Sequence, residues 1–152
     1  MPKRSAERNY NTHLASEYLM MSLFNRIGLE AYLSLGNKKG VDIIVKTSKN
    51  SLAVIEVKGV SKKSDDWIIC NTGTFPSARN LFYALISFDG KINDINIKEN
   101  LWLINSETIV KMEGYKISKN NKTVYISNKV IREKFNTYKN NFNCLIKYLG
   151  EH

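Results

Sequence analysis

Val41-Asp42-Ile43-Ile44-Val45-Lys46 and Leu52-Ala53-Val54-Ile55-Glu56-Val57-Lys58 are two runs rich in β-branched residues, and the way they face one another decides the fold. Ser48-Lys49-Asn50 between them reads as a short hairpin loop, with Asn50 suited to the left-handed conformation that such a loop takes at its last position. A loop symmetric about Lys49 sets Ile44 opposite Val54 and Asp42 opposite Glu56. Directly opposed residues on one face have Cβ atoms roughly 4.5–5.5 Å apart. Two carboxylates that close repel unless a cation lies between them, so removing either one should relieve strain. Lys58 is two residues beyond Glu56 and therefore projects from the same face.

Charged residues at a hairpin end are commonly a solvated rim. Here, however, Glu56 and Lys58 alternate with Val54, Ile55 and Val57, and a strand so apolar keeps two charges only at a cost. Two acids and a lysine at a strand end suit a hard divalent cation and an anionic substrate.

The run Gly40-Val41-Asp42-Ile43-Ile44-Val45 followed by Ile55-Glu56-Val57-Lys58 resembles the PD-(D/E)XK nuclease superfamily. That group includes restriction enzymes, Holliday-junction resolvases and some homing endonucleases. Asp42 maps to the motif's first acid, Glu56 to its second and Lys58 to its lysine; Val41 stands where the name has proline. The resemblance spans roughly residues 12–63 and rests on the order helix, strand, Asp strand, Glu-Lys strand. It implies an α/β fold with a restriction-endonuclease-like core, a mixed β-sheet flanked by helices.

Residues His13 to Ile27 have helical character, with Asn11 or Thr12 as N-cap and Gly28 just past the end. Met20, Phe24 and Ile27 define its core stripe, and Glu17 falls on or beside that stripe. An acid there needs a partner. A boundary glutamate paired with a lysine would satisfy that need. The resemblance offers another reading, because a glutamate from this first helix often joins the family's metal site. Glu7 is a weaker candidate, lying before the apparent cap.

The resemblance further implies Mg²⁺, with Mn²⁺ as an alternative ion, held by Asp42, Glu56, the Val57 carbonyl and Glu17. Lys58 would position the attacking water or stabilise the charge that develops in the transition state. The formal charge of +9, from 23 Lys and Arg against 14 Asp and Glu, points to a polyanionic partner. Lys38, Lys39, Lys62 and Lys63 flank the proposed site, and Arg4, Arg8 and Arg79 could extend the track. DNA is the expected partner, cut by a homodimer or higher assembly in which two sites face two strands. The alternatives are a Holliday-junction resolvase, or an inactive nucleic-acid-binding protein on the same fold; RNA is also compatible with a site that reads phosphates.

Other classes are disfavoured. No apolar run is long enough to span a membrane, and the first eight residues lack the apolar segment of a signal peptide. Cys70 and Cys144 are isolated, which suggests reduced thiols in the cytoplasm rather than a disulfide framework. His13 and His152 offer no zinc-ligand spacing. No glycine-rich phosphate loop, helix-turn-helix or zinc finger is visible.

At 152 residues the chain fits a single domain. Glu30 to Leu35 reads as the first strand. Residues 61–80, around the short run Trp67 to Cys70, read as a substrate-facing loop. Leu81 to Phe88 is apolar enough to be a buried central strand, and Leu101 to Ile104 another. Ser106 could cap a short helix. Tyr115 to Ile117 and Thr123 to Ser127 form a hairpin through Asn120-Asn121. Ile131, Phe135, Tyr138, Phe142, Leu145 and Leu149 predict a long amphipathic C-terminal helix against the sheet.

Overall fold

Two β-branched strands with a charged interior pair need cover on both faces, and the chain supplies it from opposite sides. The computed structural model describes residues 2–34, 41–46, 49 and 51–151, with side chains from residue 9 to residue 150. Helix α1 (Pro2–Arg26) leads into strands β1 (Glu30–Leu33), β2 (Ile43–Lys46), β3 (Leu52–Val60) and β4 (Trp67–Cys70). There follow β5 (Leu81–Ser87), β6 (Asn100–Asn105), α2 (Ser106–Lys111), β7 (Tyr115–Ile117) and β8 (Val124–Ile126). The chain closes with α3 (Asn128–Lys134), a 3₁₀ turn (Asn136–Tyr138) and α4 (Asn143–Glu151).

The main sheet has five strands in the order β1-β2-β3-β5-β6. The β2–β3 hairpin has the expected register, with Ile44 opposite Val54 and Ile43 opposite Ile55. β5 lies parallel to β3, which makes the sheet mixed, and sets Tyr83 beside Glu56. Alternation along β3 divides the core. Ala53, Ile55 and Val57 pack with Met20 and Phe24 of α1 and Leu145 of α4. Tyr83 and Leu85 of β5, on the opposite face, pack with a second sheet, β4-β8-β7, through Trp67, Ile69, Val124 and Ile126. Glu56 and Lys58 belong to this second face.

Gly59 fixes where α1 crosses the sheet. A Cβ at this position would lie 2.0 Å from Ser16 Oγ and 3.1 Å from the Thr12 carbonyl oxygen. Ser16 is fully buried, and its hydroxyl donates to that same carbonyl at 2.7 Å. The buried stripe of α1 is thus Thr12, Ser16, Met20 and Phe24, at strict spacing of four, while Ile27 lies beyond the helix and is exposed. The helix continues through Asn11 and Thr12 to Pro2, so neither residue is an N-cap. Gly28 does end it as expected: its φ is 82°, its N–H bonds the Asn25 carbonyl, and Leu29 N–H bonds that of Phe24. This pair of reversed bonds is a Schellman cap.

Three further segments differ from their sequence reading. Trp67 to Cys70 is a strand, paired with β8, and not part of a loop. Asn105, not Ser106, caps α2, accepting from Glu107 N–H, while the Ser106 hydroxyl contacts both N–H and carbonyl of Ala78. The C-terminal helical stretch is present, with the expected apolar contacts, but it is broken. Asn140 takes φ 51° and its N–H bonds the Leu101 carbonyl, so the chain leaves the helical path to pair with β6 before α4 starts. The thiols of Cys70 and Cys144 are free, and burial pushes Cys144 up to about 11.

A polar knot ties α3 to the main sheet. Asp89 accepts from Ser87 Oγ and Arg132 Nη2, each at 2.6 Å, and from Asn100 Nδ2 at 2.8 Å. The Arg132 guanidinium lies 5.2 Å above the Trp102 ring. Burial alone would raise the Asp89 carboxyl, but Ser87, Arg132 and the charge of Lys63 hold it below its ordinary value. A depressed folded-state pKa contributes stability above the unfolded value, near 3.9, that is lost as pH falls through the folded value. Asp89→Asn, which tolerates the left-handed φ of 50°, should therefore cost about 1–3 kcal/mol at pH 7. In urea titrations the gap between variant and wild type should narrow as pH falls below about 4; a constant gap would mean that charge plays no part.

Candidate functional site

Asp42 immediately precedes β2, in the register that sets it opposite Glu56. Its Oδ2 accepts the backbone N–H of Val57 at 2.7 Å. That charge-assisted bond fixes one carboxylate oxygen against β3. Glu56 is only 5% exposed, and Lys58 Nζ lies 2.8 Å from its Oε1. The repulsion foreseen between the acids is therefore answered twice, by an ammonium on Glu56 and by a peptide dipole on Asp42.

Tyr83 adds to the wall around Glu56. Its hydroxyl donates to the Pro76 carbonyl at 3.2 Å. Burial first, and then the charge of Glu56, raise its phenol well above the ordinary range, so it is a neutral partner for that acid. Glu17, half-buried on α1, has its carboxyl raised by burial and by the nearby Asp42 charge. The helix thus brings Glu17 near Asp42, while the hairpin sets Asp42 opposite Glu56 and Lys58 beside Glu56.

Among the described residues no three His, Cys, Asp or Glu side chains converge as a metal cage. Asp42 and Glu56 form a pair of hard oxygen donors instead. Mg²⁺ is commonly held by one or two carboxylates together with waters and substrate phosphates, whereas Zn²⁺ and Ca²⁺ sites need fuller protein shells. The donor set therefore fits Mg²⁺.

Lys58 opens into a cleft of about 600 Å³. Its walls are Asn9 and His13 of α1, Asp65 and Asp66 from the turn after β3, and Ile68 and Tyr125 of the second sheet. Asn9, His13 and Glu17 follow one another at intervals of four along α1, one position round from its buried stripe. Sequence reasoning passed over Asn9 and His13, although their spacing from Glu17 was a usable signal. Nothing local marks Asp65 or Tyr125, which reach the cleft only through the pairing of β4 with β8.

Among the described residues, Lys62 and Lys63 stand apart from Arg79. Lys62 and Lys63 are exposed at the C-terminal end of β3, beside the cleft. Arg79 precedes β5 at the other end of the parallel pair, about six residues or 20 Å along the strands, near Lys111 and Lys147. Lys38 and Lys39 lie outside the described residues, as do the side chains of Arg4 and Arg8.

No protein-family model and no curated protein matches the chain. Among solved structures there is a match across nearly its whole length. The fold resembles that of a bacterial homing endonuclease. The similarity to that protein, I-Ssp6803I, has a TM-score of 0.55 and 10% sequence identity, and covers 91% of this chain and 92% of the other. An endonuclease-like fold, a mixed sheet between helices, is therefore shared although almost no sequence is. Among the described residues no helix is long and apolar enough to cross a membrane.

Proposed function

We propose that the chain is a divalent-metal-dependent DNA endonuclease of the PD-(D/E)XK type. The observation that carries this reading is the opposed Asp42 and Glu56 pair with Lys58 two residues on. A fold shared with a homing endonuclease supports it. Asp42, Glu56 and the Val57 carbonyl are the oxygen donors that would hold Mg²⁺ or Mn²⁺, with Glu17 a more distant acid that would orient a water or hold a second ion. When bound, that ion supplies a polarised phosphate and a more acidic water.

The remaining roles belong to the chain. The Val57 N–H holds Asp42 in place. Lys58 exchanges its Glu56 partner for a phosphate oxygen, and its charge is worth most where negative charge develops. Lys62 and Lys63 hold the flanking backbone, and Lys38 and Lys39 are proposed to do so from the sequence. Duplex cleavage would be performed by a homodimer, one site to each strand.

Plasmid DNA, a four-way junction and single-stranded RNA, each incubated with Mg²⁺ or with EDTA, test the reading. Plasmid cleavage in Mg²⁺ and none in EDTA is expected. Selective cutting of the junction would favour the resolvase. Binding without cleavage of any substrate would make the chain a nucleic-acid-binding protein.

The lysines separate binding from chemistry. Lys58→Ala should lower the single-turnover rate by about 10²–10³-fold with little change in affinity measured in Ca²⁺. Lys62→Gln with Lys63→Gln should weaken binding to every sequence and flatten its salt dependence by a slope of roughly 0.9 per lost contact. An exchange of these two phenotypes would overturn the assignment. Glu17→Gln should slow cleavage and weaken metal dependence with the fold intact; normal cutting would leave Glu17 a boundary residue.

A further inference from the structure

The cleft beside Lys58 is poorly suited to a second phosphate. Asp65 projects into it, and its carboxylate has no hydrogen-bond or ion-pair partner among the described residues. Asp66 is committed elsewhere, with Oδ1 accepting the Asn128 N–H at 2.8 Å. Asn128 Nδ2 in turn donates to the Asp65 carbonyl at 2.8 Å. These two bonds pin the turn to the start of α3, so the free Asp65 carboxylate stands on a braced backbone. An unpaired carboxylate repels phosphate and accepts hydrogen bonds from N–H donors.

The other walls suit the same kind of guest. Ile68, 64% exposed, and Tyr125 present apolar surface from adjacent strands. Asn9 and His13 face them with groups that can both donate and accept. Of the cations needed for backbone contact, Lys58 lines the cleft, and Lys62 and Lys63 are exposed in the turn that follows β3.

We propose that this cleft reads a nucleobase, taking the major-groove edge of a cytosine or adenine next to the phosphate held by Lys58. The inference rests on the nuclease reading and deepens it. Cytosine and adenine offer an exocyclic amine in the major groove; guanine and thymine offer only acceptors there. Asp65 accepts from that amine, Tyr125 and Ile68 pack against the base or its sugar, and Asn9 or His13 meets the remaining edge. The pocket confers specificity at one position, whereas the surrounding lysines hold any sequence.

The test uses the full chain and a pool of duplexes randomised over the bound region. The pool is selected by binding in Ca²⁺ and, separately, by cleavage in Mg²⁺. Wild type should favour cytosine or adenine over guanine or thymine by about tenfold at one position. Asp65→Ala should lose that preference, because it removes the acceptor for the exocyclic amine. Tyr125→Ala should weaken the preference, and Lys62→Gln should leave it unchanged while lowering affinity throughout. Thermal melts of each variant separate pocket effects from misfolding.

A wild-type enzyme that cuts with a preference unaffected by Asp65→Ala, or with none, overturns the pocket and leaves the nuclease reading standing. A protein that cuts nothing, yet shows a preference in binding that Asp65→Ala abolishes, overturns the nuclease reading and leaves the pocket. A protein with neither cleavage nor preference overturns both.

Discussion

Asp42→Ala and Glu56→Ala should each abolish Mg²⁺-dependent cleavage, lowering the rate at least about a thousandfold, while affinity for DNA stays within a few-fold. The magnitude follows from the several kcal/mol that metal-assisted charge stabilisation contributes, at 1.36 kcal/mol per tenfold in rate. The two variants should differ in stability. Glu56→Ala strips the partner from Lys58, whose side chain is only 18% exposed, and should cost about 1–3 kcal/mol. Asp42→Ala leaves the Val57 N–H without its acceptor, a smaller loss. The relief of repulsion that the sequence suggests is therefore not expected, since both charges already have partners. Glu56→Gln keeps the shape and should be equally inactive. Wild-type cleavage by any of these variants would remove the pair from the chemistry.

Gly59→Ala should damage both fold and site. Its Cβ collides with Ser16 Oγ at 2.0 Å and crowds the Thr12 carbonyl, which belongs to the helix backbone and cannot swing away. Overpacking of this kind costs about 1–3 kcal/mol, occasionally more. For a chain of this size that is a fall in Tm of roughly 3–10 °C. Any variant that does fold must lift α1 from β3 and carry Asn9, His13 and Glu17 with it. A displacement of 1 Å can lower a rate about a hundredfold. Ser16→Gly removes the nearest obstacle, so the double variant should recover part of the stability lost by the single one. A Gly59→Ala protein as stable and as active as wild type would show that the helix does not seat there.

The hairpin is legible in the sequence because its signals are local. β-branched runs and a loop of fixed length set the register, and that register alone puts Asp42 opposite Glu56. Lys58 follows from alternation. The start of α1 is not legible, because Asn11 and Thr12 look like caps while Thr12 and Ser16 are in fact part of the buried stripe, made acceptable by the absence of a side chain at Gly59. The strand Trp67 to Cys70 is hidden for another reason. Its partner is some 55 residues downstream, and the polar flanks of so short a run resemble a loop. The break before α4 escapes a sequence reading because the 3–4-residue apolar spacing persists through Asn136 to Asn141, although the backbone there pairs with β6. Arg79 groups with the other basic residues on composition, and only the direction of β5 shows that it belongs to the far end of the sheet.

The two sides of the cleft are open to change in unequal ways. Asn9, His13 and Glu17 are carried by one continuous helix, about 6 Å apart along its axis, and locked in rotation by the seat at Gly59. Inserting or deleting a single residue between them turns one mark about 100° away from the others, so this side can diverge only by substitution, or by gains and losses near whole turns. The opposite side hangs on the turn between β3 and β4, where length is far less constrained. A lineage of such proteins could lengthen or shorten that turn, and so alter what the cleft accepts, without disturbing the acids beneath it.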